Sequence, residues 1–461
     1  MFDGLLGSVP DYRDFCTVDE LNSSSEELAR QYPDKVKFTA IGKARSGEEI
    51  KALRIGSGRK TALMFGFPHP NEPIGSMTLE YLSRKLVEEP SLEMLDYTWY
   101  LVKCIDPDGA RLNEGWFKGQ FTPLKYALGY YRPPVQQQVE WTFPIEYKTL
   151  VWRNPLPETK ALMNLIDEVK PRFMCSLHNS GFGGVYFFLT RPCKSLYSRF
   201  HAIVKNEGLP LHNGEPESPY MKQYSRAIFE SPTIAQEYEY LKKNTDDDPA
   251  KLIARGSSSG EYARKAAGTF TLICEMPYLY DSRVECVSPS DVTRREACLH
   301  DIRCSEEMLD FTKRVYSSAR RRVKLHMDRK PFTDSIESRL KRLPEYLKAQ
   351  RNWANADEAM TRKATVAEKF DAHTSMRFYD ISNLGLLYRW IADTGNERAE
   401  DEVLELVKKS IRDLVGQQSF KVMPIRNLVR VQLGSVLVTA EHLSGAPHRR
   451  EGTGAPGQES L

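Results

Sequence analysis

The sequence predicts an α/β protein in which a mixed, mostly parallel central sheet is flanked by helices and followed by an additional C-terminal helical region. Two observations predict this class. Up to residue 275, short apolar runs of strand length alternate with segments of helical period, as in layered α/β domains. Beyond about residue 300 the helical period continues alone. The length of 461 residues is enough for two or three domains.

The first part of the chain predicts a series of alternating elements. Helices are expected over 18–31, 74–87 and 157–169. Strands are expected over 36–41, 49–55, 61–67, 97–104, 172–177, 185–189 and 269–274. Residues 110–156 and 208–256 show no clean period, and such stretches usually line or cover a site.

The second part predicts helices over 304–325, 334–351, 377–392 and 397–415. We therefore divide the chain into an α/β domain (1–303), a helical region (304–445) and a tail (446–461). The tail is rich in Gly, Pro, Arg, Glu and Ser, a composition that predicts disorder. The helical region is compatible with capping the first domain, covering its cleft or dimerising, and the oligomeric state stays open.

Composition narrows the classes of partner. The 65 basic and 62 acidic residues give a net charge of +3, so overall charge does not predict nucleic-acid binding. No apolar run approaches the ~20 residues of a membrane span, and the N-terminus lacks the pattern of a signal peptide. The eight cysteines form no C-x-x-C pair, which favours reduced, packing cysteines in a cytoplasmic protein.

One short motif carries chemistry. His69 and Glu72 lie three positions apart in the turn between the apolar run 61–67 and the next helix. Residues at this spacing share a face, so the imidazole and the carboxylate can converge on one point. A catalytic zinc ion needs two such ligands, a third from elsewhere and an open fourth position. The motif alone is weak, because a surface histidine followed by a glutamate at a helix N-terminus gives the same pattern.

Two later residues extend the motif, because His178 and Glu275 each come directly after a predicted strand. The carboxyl edge of an open parallel sheet is where ligands bind, so we expect both residues to meet His69 and Glu72 there. Two imidazoles and one carboxylate then form a site for one Zn²⁺ per chain. Zinc lowers the pKa of a bound water to about 7, and the remaining carboxylate, Glu275, moves its proton to the leaving nitrogen.

The order and spacing of these motifs resemble the M14 family of zinc carboxypeptidases. The resemblance covers roughly residues 18–300 and includes Asp-Pro-Asp-Gly at 106–109, Leu-His-Asn-Ser-Gly at 177–181 and the run ending on Glu275. It implies the zinc carboxypeptidase fold and a zinc-dependent hydrolytic activity. It also implies that the zinc ligands are His69, Glu72 and His178, and that Glu275 is the general base.

The resemblance also implies substrate-binding residues. Arg111 falls where the family places an arginine that stabilises the developing oxyanion. The family's Asn-Arg pair, which binds a terminal carboxylate, has only a partial counterpart in Arg132, and Arg153 competes for that role. The family's substrate-binding tyrosine is not found at its expected spacing, and Tyr262 is the nearest candidate. These departures weaken an assignment to simple removal of C-terminal residues.

The sequence therefore predicts a zinc-dependent metallopeptidase that hydrolyses a peptide or a small amide. One alternative keeps the metal but makes the protein a deacylase of N-acyl amino acids or of an aminoacylated small metabolite. Another is a binding or scaffold protein whose helical region is the working part and whose metal site is a relic. We expect the irregular stretches to set the substrate specificity, because they line or cover the site.

Overall fold

The computed structural model describes residues 2–320, 329–392, 394–416 and 420–445. The tail predicted to be disordered, 446–461, lies outside the described residues. The helices are α1 (Asp3–Gly7), α2 (Val18–Gln31), α3 (Ile74–Glu88), α4 (Pro107–Arg111), α5 (Pro123–Gly129), α6 (Pro157–Val169), α7 (Lys194–Asn206), α8 (Ile234–Asn244), α9 (Pro249–Leu252), α10 (Ser259–Ala267), α11 (Arg294–Arg320), α12 (Lys330–Ala356), α13 (Val366–Phe370), α14 (Met376–Ile391), α15 (Glu397–Gly416) and α16 (Ile425–Ser444). The strands are β1 (Val36–Lys43), β2 (Glu49–Ile55), β3 (Lys60–Phe65), β4 (Tyr97–Val102), β5 (Ile145–Tyr147), β6 (Leu150–Trp152), β7 (Phe173–Phe182), β8 (Tyr186–Leu189), β9 (Gln223–Ser225), β10 (Ile228–Glu230), β11 (Phe270–Tyr280), β12 (Pro289–Thr293), β13 (Lys363–Thr365) and β14 (Lys421–Val422).

A mixed sheet with a parallel centre organises the fold. Its strand order is β1-β2-β4-β3-β7-β11-β8-β10-β9, with β14 paired to β11. The four strands β4, β3, β7 and β11 are parallel, whereas β1/β2, β2/β4 and β11/β8 are antiparallel. Central strands covered on both faces are apolar almost throughout, as β3 and β11 are here. The predicted fold class is confirmed: a mixed sheet flanked by helices and followed by a helical region.

Strand β3 shows how the sheet is covered on both faces. Side chains alternate between the two faces of a strand. Ala62 and Met64 join the larger core, which contains residues of α3 and α16, whereas Leu63 and Phe65 join a second core with residues of α6. No described helix is long and apolar enough to cross a lipid bilayer.

The turn after β3 is held in an unusual conformation. Phe67 has a φ of +53°, a left-handed value that is uncommon for a bulky aromatic residue. Its ring is fully buried and stacks on Phe117 at a centroid distance of 6.0 Å. Because the surrounding core fixes this ring, the turn that carries His69 and Glu72 is held as well.

Helix α3 starts directly against the strand that carries His178. A Cβ atom on Gly75 would lie 2.5 Å from the Cβ atom of Leu177, so this position needs glycine. The close approach brings the N-terminal end of α3, and the Glu72 carboxylate just before it, next to β7.

The strands predicted to end before His178 and Glu275 are longer than expected. Strand β7 continues to Phe182 and β11 to Tyr280. The extensions pair with each other, with Glu275 opposite His178 and Leu279 opposite Phe182. The prediction that both residues stand at strand ends is therefore wrong, but the pairing register places them side by side.

The helical region is larger than predicted and begins earlier. Helix α11 starts at Arg294, so the boundary predicted between 303 and 304 falls inside one continuous helix. Helix α16 was not predicted. Residues 110–156 and 208–256, expected to be irregular, contain short helices and strands such as the β5/β6 hairpin.

Helix α16 contacts β7 and β11, the strands that carry His178 and Glu275. The buried Gln432 side chain donates hydrogen bonds to the backbone carbonyls of His178, at 2.9 Å, and Cys274, at 3.3 Å. Its carbonyl oxygen accepts one from Thr78 Oγ1 of α3 at 2.9 Å. The last described helix therefore ties together β7, β11 and α3, the elements that hold the site.

We predict that Gly385→Ala destabilises the protein by about 1–3 kcal/mol, through overpacking where α14 crosses α5. A Cβ atom there would lie 1.7 Å from the backbone oxygen of Ala127. This loss of folding stability is the net effect after the gain from the higher helix propensity of alanine, about 1 kcal/mol, is counted. Urea unfolding measures the difference. The control is Gly416→Ala at the end of α15, where an added Cβ meets no atom of the described residues within 4 Å. Equal stabilities for the two variants would contradict the close packing of the helical region on the sheet domain.

Candidate metal centre

Three side chains converge at the carboxyl edge of β3 and on β7. One ligand atom each from His69, Glu72 and His178 lies within 4.8 Å of the others, and all three residues are buried. His69 Nδ1 is 3.1 Å from Glu72 Oε1, and His178 Nδ1 is 3.0 Å from Glu72 Oε2. The three residues predicted as metal ligands are thus brought together, with the carboxylate between the two imidazoles.

The orientation of His178 fits a cation. Its Nε2 atom bonds Ser176 Oγ at 2.8 Å, and that hydroxyl donates to Glu140 at 3.2 Å. The chain of donors gives Nε2 the imidazole proton and leaves Nδ1 with a lone pair. Nδ1 is buried without an aligned hydrogen bond, although it lies 3.0 Å from Glu72 Oε2 and 3.6 Å from Glu275 Oε1. A lone pair facing two carboxylates is unfavourable unless a positive charge lies between them.

The pKa values of His178 and Glu72 show which charges the site favours. Burial lowers the pKa of His178, but the carboxylates of Glu275 and Glu72 outweigh it and raise that pKa to about 9. Burial would raise the pKa of Glu72, but His69 and His178 lower it well below its usual value. The site therefore favours a positive charge at His178 Nδ1, whether a proton or a metal ion, beside an ionised Glu72.

His69 is held by a hydrogen bond that bears on metal binding. The indole N–H of Trp141 donates to His69 Nε2 at 3.1 Å, and an indole nitrogen can only donate. This places the imidazole proton on Nδ1, which donates to Glu72. Burial and the charge of Arg132 lower the pKa of His69 to about 3, so the ring is neutral, as a ligand must be. A metal on Nδ1 replaces that proton and requires the Trp141 indole to release Nε2.

Glu275 stands beside the group as an additional carboxylate. It faces His178 across the parallel strand pair, lines the same cavity and is 7% exposed. Burial raises the pKa of Glu275 well above its usual value, although His178 opposes that shift. A carboxylate with a raised pKa is a good proton acceptor once it is ionised.

The arginine that reaches this group is Arg132. Its Nη1 donates to Glu72 Oε1 at 3.0 Å, and its side chain is largely buried. Asn113 fixes the approach, because its side chain accepts from the Tyr131 backbone N–H at 3.0 Å and donates to the Tyr131 carbonyl at 2.9 Å.

The structure does not bring the other predicted residues to the centre. Arg111 binds Glu48 and Asp19 through its guanidinium and is 36% exposed, so it does not reach the group of candidate ligands. Arg153 pairs with Glu146 and is 71% exposed. Tyr262 donates to Asp167 at 2.8 Å and packs against Phe143, away from the cavity.

Sequence reasoning missed the residues that orient His178. Ser176 lies two positions before His178, on the same face of β7, and this spacing was a usable signal. Glu140 accepts from Ser259 Oγ at 2.7 Å and from Ser176, and it is fully buried. It lies in the stretch without a clean period, so its sequence position gave no signal.

A cavity of about 550 Å³ opens onto the centre. His69, Glu72, His178 and Glu275 line it, and Arg132 is the one lysine or arginine among its described lining residues. The helical region contributes further lining residues, including Asp301, Trp353 and Met376. Of the roles considered for the helical region, covering the cleft is the one that the geometry shows.

Comparisons with known proteins agree with the resemblance. The family model for zinc carboxypeptidases, peptidase family M14, matches residues 21–127. An inactive metallocarboxypeptidase of Talaromyces marneffei is 28% identical over 165 residues, which is 32% of this chain and 27% of that protein. Zinc carboxypeptidase A 1 of Anopheles gambiae is 26% identical over 105 residues, 22% of this chain and 24% of that protein. This chain thus matches about a quarter of the length of these curated relatives.

Solved structures of carboxypeptidases are also similar. The crystal structure of carboxypeptidase A from Helicoverpa armigera matches with a TM-score of 0.39 and 17% identity, covering 60% of this chain and 70% of that one. A metallo-carboxypeptidase from Burkholderia cenocepacia matches with a TM-score of 0.32 and 13% identity, covering 57% and 60% of the two chains.

We predict that the purified protein binds one zinc ion and that His178→Ala abolishes this binding at micromolar zinc. Loss of a direct ligand should exceed the roughly 10- to 100-fold cost of losing an outer-shell partner. Metal analysis after dialysis, with competition by a chromophoric chelator, gives stoichiometry and affinity. His201→Ala is the matched control, because this imidazole bonds the Arg226 carbonyl outside the cavity. Equal zinc affinity in the two variants would exclude His178 as a ligand.

Proposed function

We propose that this chain, which resembles the M14 zinc carboxypeptidases and matches their family model over residues 21–127, is a zinc-dependent metallopeptidase that hydrolyses a peptide or amide bond. One observation carries the proposal: a buried His-Glu-His group with Glu275 beside it on a cavity. Three protein ligands and an open fourth position are typical of catalytic rather than structural zinc.

A zinc ion held by His69, Glu72 and His178 would supply Lewis acidity and lower the pKa of water. Glu275 then has the role of general base and general acid. It accepts the proton of the attacking water and delivers it to the leaving nitrogen, for which its raised pKa suits it. Glu140 and Ser176 keep the proton of His178 on Nε2 and so direct Nδ1 towards the cavity.

Arg132 is the residue we assign to the oxyanion. A guanidinium next to the carboxylate ligand is placed to donate to a carbonyl oxygen that gains negative charge in the transition state. In this structure it donates to Glu72, so stabilising a substrate oxygen requires Arg132 to share or exchange that bond. Arg111 and Arg153 are engaged in surface ion pairs instead.

A second function is deacylation of an N-acyl amino acid or an aminoacylated metabolite. Peptides with a free C-terminus and N-acyl amino acids both carry a carboxylate that needs a cation in the site. Arg132 is the one lysine or arginine among the described lining residues, and Glu72 already binds it. The cavity therefore favours an aminoacylated metabolite without a carboxylate. Hydrolysis of amino-acid amides, compared with N-acyl amino acids and blocked peptides of equal length, separates the substrate classes.

The non-catalytic alternative makes a clear prediction as well. One relative carries the name inactive metallocarboxypeptidase, so membership of this group of proteins does not by itself imply turnover. A scaffold protein would contain less than one zinc per chain and would show no hydrolysis after zinc is added.

We further propose a cytoplasmic location, with which the eight free cysteines agree.

Glu275→Gln should keep zinc binding and lower kcat by about 100-fold or more, because glutamine cannot accept a proton from water. Turnover of a panel of blocked peptides and N-acyl amino acids, with zinc content measured on the same samples, tests this. Wild-type turnover in the zinc-loaded variant would remove Glu275 from the mechanism.

Substitution of two arginines tests which one serves the oxyanion. Arg132→Ala should lower kcat/KM by about 100-fold, the usual effect of losing one oxyanion donor. Arg111→Ala should leave kcat/KM within about threefold, because Arg111 forms a surface ion pair of small energetic value. The reverse ranking would restore Arg111 to the role that its sequence position predicts.

A further inference from the structure

The cavity lining carries more acidic than basic side chains. Seven carboxylates line the cavity, but among the described residues only one lysine or arginine, Arg132, does so. Two of these acids are neutralised by arginines outside the lining, Glu215 by Arg294 and Glu368 by Arg362. Glu72 and Glu275 belong to the centre already described. The other three acids, Asp301, Asp371 and Glu217, have no lysine or arginine partner within the residues that the structure describes, although Asp371 is hydrogen-bonded by Ser375 and the Glu215 backbone and lies near His212.

Asp301 has no partner in the described part of the chain. It lies on α11, is 7% exposed and lines the cavity, yet no hydrogen bond or ion pair reaches its carboxylate. Its closest charged neighbours, Asp380 and Asp371, are both acids. Asp380 is bound by Arg339 at 2.5 Å and by Ser305 at 2.9 Å, whereas Asp301 is not. A buried carboxyl group without a partner costs free energy, which a bound donor or cation would recover.

Asp371 and Glu217 extend this surface. Asp371 is the first residue of a π-helical turn, Asp371–Ser375, between α13 and α14. Such turns interrupt a helix at a cost and are frequent at functional sites. Glu217 accepts one hydrogen bond from Tyr186 at 2.5 Å and is exposed to the cavity. Burial, together with the neighbouring acids Asp380 and Asp371, raises the pKa of Asp301 to about 8, and a bound cation would offset both effects.

We infer that Asp301, Asp371 and Glu217 form a subsite for a protonated amine or guanidinium group of the substrate. The inference deepens the proposed function, on which it rests, by naming a substrate class. The subsite comes from residues outside the segment that matches the zinc carboxypeptidase family, 21–127.

The shape of the site favours an organic cation over a second metal ion. In the described chain, the group able to hold a metal is His69, Glu72 and His178, and the three acids do not form another. The wall next to them offers apolar surface for an alkyl stem, because Met376 is 42% and Tyr379 41% exposed and both line the cavity. Lysine and arginine side chains bury such stems on apolar surface while their charged ends bind acids.

The test compares charged substrates with neutral ones of the same shape. Four blocked peptides serve as probes. Benzoyl-glycyl-lysine and benzoyl-glycyl-norleucine place lysine or norleucine on the leaving side of the scissile bond. Acetyl-lysyl-phenylalanine and acetyl-norleucyl-phenylalanine place the same two residues on the acyl side. For at least one pair, wild-type kcat/KM should favour lysine roughly 10- to 100-fold, the range of a hydrogen bond to a charged group.

Asp301→Asn and Asp371→Asn should each remove most of this preference while norleucine peptides keep their rates. Asparagine has the shape of the neutral acid, so folding is not at risk from volume, and Asp371→Asn carries the test if Asp301→Asn fails to fold. Asp310→Asn, an exposed acid on the same helix, is the matched control and should keep the wild-type preference.

Failure of this inference can be told apart from failure of the proposed function. Hydrolysis with the same lysine-to-norleucine ratio in the wild type and both variants would overturn the subsite and leave the hydrolase intact. If no peptide is hydrolysed, calorimetric Kd values for the same four peptides on the zinc-loaded protein decide instead. Tighter binding of a lysine peptide that is lost in Asp301→Asn supports the subsite, and equal binding overturns it.

Discussion

The lone pair of His178 Nδ1, aimed at two buried carboxylates, is the constraint on which the site depends. Glu72 approaches it from the turn after β3 and Glu275 from the neighbouring strand. Two carboxylates around this buried nitrogen favour a positive charge on it, which either a proton or a divalent cation can supply. His178, Glu72 and Glu275 are all carried by backbone that packs in the core. Movement of one side chain alone therefore does not separate these charged groups.

The supports of this arrangement come from the whole chain. Gly75 lets α3 start against β7, and Gln432 of α16 binds the carbonyl of His178 itself. Helices α11, α12 and α14 close the far side of the cavity. The helical region is therefore part of the site rather than an appendage, because it supports the ligand-bearing strands and provides the wall that a substrate meets.

Much of the centre could be predicted from the sequence because its signals are local. His69 and Glu72 share one turn, and His178 and Glu275 follow apolar runs that read as buried strands. The arginine that reaches the centre was harder to predict, because its position depends on how Asn113 binds the backbone of Tyr131, the residue before Arg132. Arg111 was assigned by its distance along the chain, but Asp19 and Glu48, remote in sequence, bind it at the surface. The acidic residues of the cavity could not be predicted either, because their grouping depends on tertiary packing. In the sequence Asp301 and Asp371 look like ordinary helical acids, and only the packing of α11 against the π-helical turn brings them together.

The most direct test of zinc binding by His69, Glu72 and His178 is anomalous diffraction at the zinc edge from crystals of the zinc-loaded protein. We predict one strong peak, about 2.0–2.1 Å from His69 Nδ1 and His178 Nδ1 and within about 2.2 Å of a Glu72 oxygen, with the Trp141 indole turned away from His69. A peak elsewhere, or a zinc ion without His178 among its ligands, would contradict it.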